Sequence, residues 1–140
     1  MQSKQEDLKQ VFTMAKYCRK LQLIRDEIQT YERFTAKENF LRIELTSFYV
    51  GQLVKLSREL SEEMQTRLAG VPWQELTALH EKLIRQQGKR DTKLLWQVVS
   101  KDAPSLARKC LEILKVDNPN VEARINSELA AETGRNWEAT

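Results

Sequence analysis

The sequence predicts an all-α protein: a helical bundle with two long antiparallel helices and three or so shorter ones. Three observations lead there. Glycine and proline number only 4 and 3 in 140 residues, so few points interrupt a helix. The rest is rich in Leu, Glu, Lys, Gln and Arg, which lose little freedom on entering one. Apolar residues recur at threes and fours along most of the chain, the period of a single helix face. A chain of this length is expected to fold as one domain with a modest core. The bundle is assigned to residues 1–115 and an acidic tail to 116–140.

The first long helix is expected over 6–31, where Leu8, Val11, Phe12, Ala15, Ile24, Ile28 and Tyr31 make the stripe. "YERFTAKEN" interrupts it, and Thr35 with Glu38 three residues on has the spacing of a capping box. The second long helix is expected over 36–66, with a seam of Leu41, Leu45, Phe48, Leu53, Leu56 and Leu60. Gly51 within it would let a neighbour approach closely. "LAGVPW" is the clearest break: Gly70 suits the residue past a helix end and Pro72 the start of a new one. That third helix runs from about 72 to 87, where Gly88 stops it. Asp91 is a natural N-cap for a short helix over 92–100, and Asp102 for another over 103–115, with Pro104 tolerated in its first turn.

Beyond Lys115 the character changes. Residues 116–140 hold five acids against two arginines, a net −3 in a chain whose total is +3, so the remainder is clearly basic. A thin stripe of Val121, Ile125 and Leu129 predicts a short helix there, followed by disorder. Cys18 and Cys110 are far apart and lack metal-ligand spacing, which reads as two reduced, packing cysteines. One histidine and two distant cysteines make no zinc site. No Gly-rich phosphate loop or aspartate cluster points to a cofactor or magnesium. The polar start "MQSKQEDLKQ" reads as no signal peptide, and no apolar run approaches a membrane span, so the cytoplasm is the expected location.

Chemistry concentrates on the third helix, "VPWQELTALHEKLIRQQGKRD". Leu76, His80, Leu83 and Gln87 share a face, with Leu79 and Ile84 beside it, which sets His80 at the border of the apolar stripe. Such an imidazole is either a structural group holding a hydrogen bond or a general acid or base. Lys82, Arg85, Lys89, Arg90 and Lys93 crowd the end of the same helix and the following turn. Together they form a candidate phosphate-binding cluster, or else a solvated helix end in which Glu81 pairs with Arg85.

The run "VPWQELTALHEKLIRQQGKRD…LLWQVVSKDAPSLARKCLEIL" resembles the C-terminal half of HepT-like proteins. These belong to the HEPN superfamily of higher-eukaryote and prokaryote nucleotide-binding domains. Pro72, Trp73, Leu76, Asp91, Trp96, Asp102, Pro104 and Leu106 fall at matching places, and Asp7–Leu8 with "TYERFTAKENF" fits the N-terminal half. The likeness covers roughly residues 5–115. It implies a HEPN-type bundle that dimerises through the motif-bearing helix. In active members that helix carries a metal-independent ribonuclease motif, an Arg, then four to six residues, then a His. It also implies a toxin–antitoxin or related defence setting and a nucleotidyltransferase-like antitoxin as partner, which in some pairs adenylylates a Tyr near the motif.

The chain departs from that motif. On the alignment through Pro72 and Asp91, His80 holds the motif Arg position, Glu81 the Asn, Arg85 the motif His and Gln87 the Tyr. A guanidinium does not deprotonate in proteins, so Arg85 cannot serve as a base. Positions five apart on a helix lie about 140° apart, so His80 and Arg85 would meet only across a two-fold dimer or at a frayed end. Three readings follow. The first is a catalytically degenerate HepT-like homodimer that binds RNA or a nucleotidyltransferase-like partner. The second is an active endoribonuclease using His80 and Arg85, with Lys82, Lys89, Arg90 and Lys93 on RNA phosphates. The third is a helical adaptor that ignores nucleic acid and contacts a partner protein through its acidic tail.

Overall fold

The computed structural model describes residues 3–85 and 91–133, and within them the protein is an all-α bundle. Helix α1, Lys4–Ile28, is its spine. Ser3 starts it with a reciprocal capping box: its hydroxyl accepts from the Glu6 N–H at 3.1 Å, and Glu6 accepts from the Ser3 N–H at 3.2 Å. The helix ends three residues earlier than expected because Gln29 takes a left-handed φ of 72° as C-cap. A short helix α2, Tyr31–Phe34, follows, capped by Thr30. Thr35 does not cap the next helix as its spacing with Glu38 predicted. Its hydroxyl bonds back to the Tyr31 and Glu32 carbonyls and closes α2 instead.

Helix α3, Phe40–Glu59, runs antiparallel to α1. Gln10 reaches Glu59, the Tyr17 ring meets Tyr49, and Glu27 pairs with Arg42, so the register runs in opposite directions. The expected single helix over 36–66 is broken at Leu60–Ser61, and Glu62–Arg67 forms a separate α4. The cause is Asp7, a buried carboxylate that accepts from both the N–H and the hydroxyl of Ser61. Ser61 in turn caps α4 through the Met64 N–H. A buried carboxylate needs such donors, and they fix the bend.

Leu53 and Leu60 of the expected α3 seam are buried and Leu56 packs against the core, but the first half of the seam is corrected. Leu41, Leu45 and Phe48 are 71%, 45% and 54% exposed, and the core is filled from Ile43, Val50, Leu53 and Val54. Helix α5, Trp73–Arg85, packs across α3 through Leu76, Leu79 and Leu83. Trp73 braces its start by donating its indole N–H to the Leu68 carbonyl at 3.0 Å.

The two short helices expected near residue 100 are one continuous run. Helix α6, Thr92–Gln97, passes through a π-turn at Val98–Asp102 into α7, Ala103–Lys115. Pro104 lacks an N–H, and its ring would press on the carbonyl four residues back, so the wider turn just before it relieves the conflict. Asp102 therefore stays helical and caps nothing, and its burial raises the carboxyl above the usual carboxylate range. Helix α7 packs along α1, and Cys18 and Cys110 are both free and buried. Desolvation pushes the Cys110 thiol up to about 12.

Helix α8, Val121–Thr133, lies on α1 and α7 with Val121, Ile125 and Leu129 buried. Lys16 bonds Glu132 at 2.7 Å and Glu128 at 3.4 Å, and Lys20 reaches Glu132 at 3.4 Å. The Arg124 guanidinium, paired with Glu128, also lies 4.5 Å from the centroid of the Phe12 ring. Among the described residues, no helix is long and apolar enough to cross a membrane.

Candidate functional site

His80 lies where α5 crosses α3. Leu79 and Leu83 are buried on the core side, and the imidazole is half-buried against α3. It rests directly on Gly51. A Cβ added there would sit 2.7 Å from Cε1 and 3.0 Å from Nδ1 of the ring, so only glycine leaves the space the imidazole occupies. Neither ring nitrogen has a hydrogen-bond partner among the described residues. The expected structural hydrogen bond is therefore not made within them.

The ring forms one wall of an open groove of about 480 Å³, with Ser47, Phe48, Gln52, Lys55, Arg58 and Glu59 along α3. Lys55 and Arg58 are exposed and form no ion pair among the described residues. Glu59 accepts from Gln10 at 2.9 Å. Arg58 also lines a second groove of about 620 Å³ that leads past Val71 and Pro72 to Trp73.

Helical geometry separates the residues singled out by sequence. Arg85 does not join His80 in this groove. It is exposed and pairs with Glu81 at 3.5 Å. Lys82 turns to another side of α5, beside Leu79, Leu94 and Asp102, and pairs with Asp91 at 3.1 Å. Asp91 caps α6 by accepting from the Leu94 N–H, and that bond, followed by Lys82, holds its carboxyl below the usual range. Lys93 is exposed on α6, and Lys89 and Arg90 lie outside the described residues. Sequence reasoning passed over Lys55 and Arg58. Their signal was present: Phe48, Gly51, Lys55 and Arg58 are spaced to share one helix face.

The most informative relatives are proteins named for RNA cleavage. Over 102 residues, 68% of this chain and 93% of the relative, it is 28% identical to "Probable ribonuclease HepT" of Thermococcus cleftensis. The chain is similar to HepT-type proteins. It is also 29% identical over 66 residues to a protein of Caldanaerobacter subterraneus subsp. tengcongensis provisionally named an RNase, covering 56% of that protein. A third relative, from Methanocaldococcus jannaschii, is named a gamma-glutamylcyclotransferase and, provisionally, an RNase. The chain is 31% identical to it over 77 residues, and the match spans 33% of its length. No family model matches the chain, and no solved structure matches it at a significant level. The HepT similarity and the all-α architecture agree with each other.

Proposed function

We propose that this chain is a HepT-like HEPN protein of a prokaryotic toxin–antitoxin or related defence module. It works as a homodimer and binds RNA, with the cleavage chemistry of its relatives degenerate. The observation that carries this reading is the similarity to a protein named a HepT ribonuclease over 93% of that protein's length. The dimer is supported by apolar side chains left exposed, Leu41, Leu45 and Phe48 on α3 and Ile84 on α5. Degeneracy is supported by the chemistry of α5. A base, His80, is present, but the cation five residues on is occupied with Glu81 on a different side of the helix.

The test is RNA cleavage by the purified protein in EDTA, with His80→Ala and Arg85→Ala alongside, together with RNA binding across a salt series. The expected result is binding that weakens steeply with salt and no cleavage. Cleavage by wild type that is lost in both variants would replace this reading with an active endoribonuclease. That enzyme would have to draw Arg85 from the second protomer. The adaptor reading relies on the acidic tail. Two of the tail's acids, Glu128 and Glu132, are already engaged by Lys16 and Lys20 of α1, which argues against it. A nucleotidyltransferase-like antitoxin follows from the HepT resemblance alone, and co-purification from the native cell tests for it.

A further inference from the structure

We infer that Arg58 and Lys55 of α3, together with His80 of α5, form a phosphate-binding site that seats an RNA phosphodiester beside Gly51 within a single protomer. The inference rests on the RNA-binding reading above and assigns the cation for it to α3 instead of α5. Four observations support it. The groove brings a guanidinium, an ammonium, the Gln52 amide and the imidazole around one open volume. Both cations lack an acidic partner among the described residues, whereas Arg85 and Lys82 each have one. The one carboxylate on the wall, Glu59, already accepts from the Gln10 amide. The ring nitrogens of His80 have no hydrogen-bond partner among the described residues, and Gly51, lacking a Cβ, makes the room in which the imidazole sits against α3 at the wall of the groove.

A guanidinium recognises phosphate oxygens with two parallel N–H bonds, and a nearby ammonium adds charge without fixing geometry. Arg58 also stands at the junction of the two grooves. A strand held there by one phosphate has room to continue toward Trp73.

His80 is the only histidine in the chain, so its two ring C–H resonances need no assignment and report on this site alone. The experiment titrates the full-length protein with a 2′-O-methylated UpUpU that carries diesters but no terminal phosphate. Uridine monophosphate and inorganic phosphate are titrated separately. Binding of a longer labelled RNA is followed in parallel by fluorescence anisotropy. The expected result is a saturable shift of the His80 resonances with UpUpU. Arg58→Ala should weaken that affinity by about ten-fold or more and Arg58→Lys by less, with Arg85→Ala leaving it in place.

An equal shift in wild type and Arg58→Ala, or loss of the shift in Arg85→Ala, overturns the inference and leaves the RNA reading standing. Saturation by the monophosphates but not the diester overturns it in favour of a free nucleotide. RNA binding by anisotropy with silent His80 resonances also overturns the inference alone. No RNA binding by either readout removes both. Arg58 is exposed, so unchanged thermal melting of its variants is expected and serves as the check on folding.

Discussion

At Gly51, helix propensity and packing oppose one another. Glycine inside a helix costs about 0.5–1 kcal/mol relative to alanine, so Gly51→Ala would stabilise an isolated α3. In the bundle the new methyl would lie 2.7 Å from the His80 ring, which must move. The imidazole is the far end of a half-buried side chain and can swing outward, so the conflict is relieved by displacement and not by unfolding. Gly51→Ala is expected to change stability by less than about 1 kcal/mol in urea denaturation. It should also move the His80 ring resonances and weaken RNA binding. Much of this residue-level picture was legible in advance. The spacing of Leu76, Leu79 and Leu83 already set His80 at the edge of the stripe, and the glycine marked a close approach. The partner in that approach was not legible, because it depends on how α5 crosses α3.

At the level of elements, α8 offers a pH test. Its bond from Lys16, and then the charge of Lys20, hold the Glu132 carboxyl below the usual glutamate range. A carboxylate depressed in the folded state contributes stability that is full above its unfolded pKa and is lost as pH falls through the lowered folded value. Glu132 is well exposed, so the contribution is small and salt-sensitive, and burial of Val121, Ile125 and Leu129 persists in acid. Hydrogen exchange is expected to show α8 amides losing protection ahead of α1 and α7 as pH drops below the glutamate range. Glu132→Gln should remove most of that difference.

Elements also show where sequence reading fails. Helix α3 carries apolar residues on two faces. Leu41, Leu45 and Phe48 fit a helical stripe as well as Ile43, Val50 and Leu53 do, so periodicity cannot say which face the core takes. The break at Ser61 was invisible for a different reason: the carboxylate that fixes it lies 54 residues away, at Asp7. The π-turn before Pro104 reflects a local conflict whose resolution depends on the packing around it.

For the whole molecule, the outward face of α3 is the testable feature. If the HepT-like dimer forms there, pairing Leu41→Glu with Leu45→Glu places four carboxylates against one another across the two-fold axis. Sedimentation is expected to show a dimer for wild type and a monomer for the double variant. Its thermal melting at low concentration should match that of dissociated wild type, because both positions are exposed in the single chain. The architecture as a whole was the most legible part of the molecule, since scarce glycine and proline leave an amphipathic chain few alternatives to helix. The site was less so: of the side chains picked from the sequence, Lys82 and Arg85 pair with acids away from the groove, Lys93 is exposed on α6, and Lys89 and Arg90 lie outside the described residues.

The seat of His80 on Gly51 also bears on how this chain and its kin can diverge. The two positions are 29 apart in sequence yet occupy one volume, so a change at either alters what the other can do. A descendant that kept the histidine in its present seat would have to keep the glycine beneath it. One that lost the imidazole would leave a hollow that alanine or serine at position 51 could fill, with a gain in helix propensity. Glycine–histidine and alanine–small-residue pairings should therefore be inherited together, and mixed combinations should be rare among living sequences.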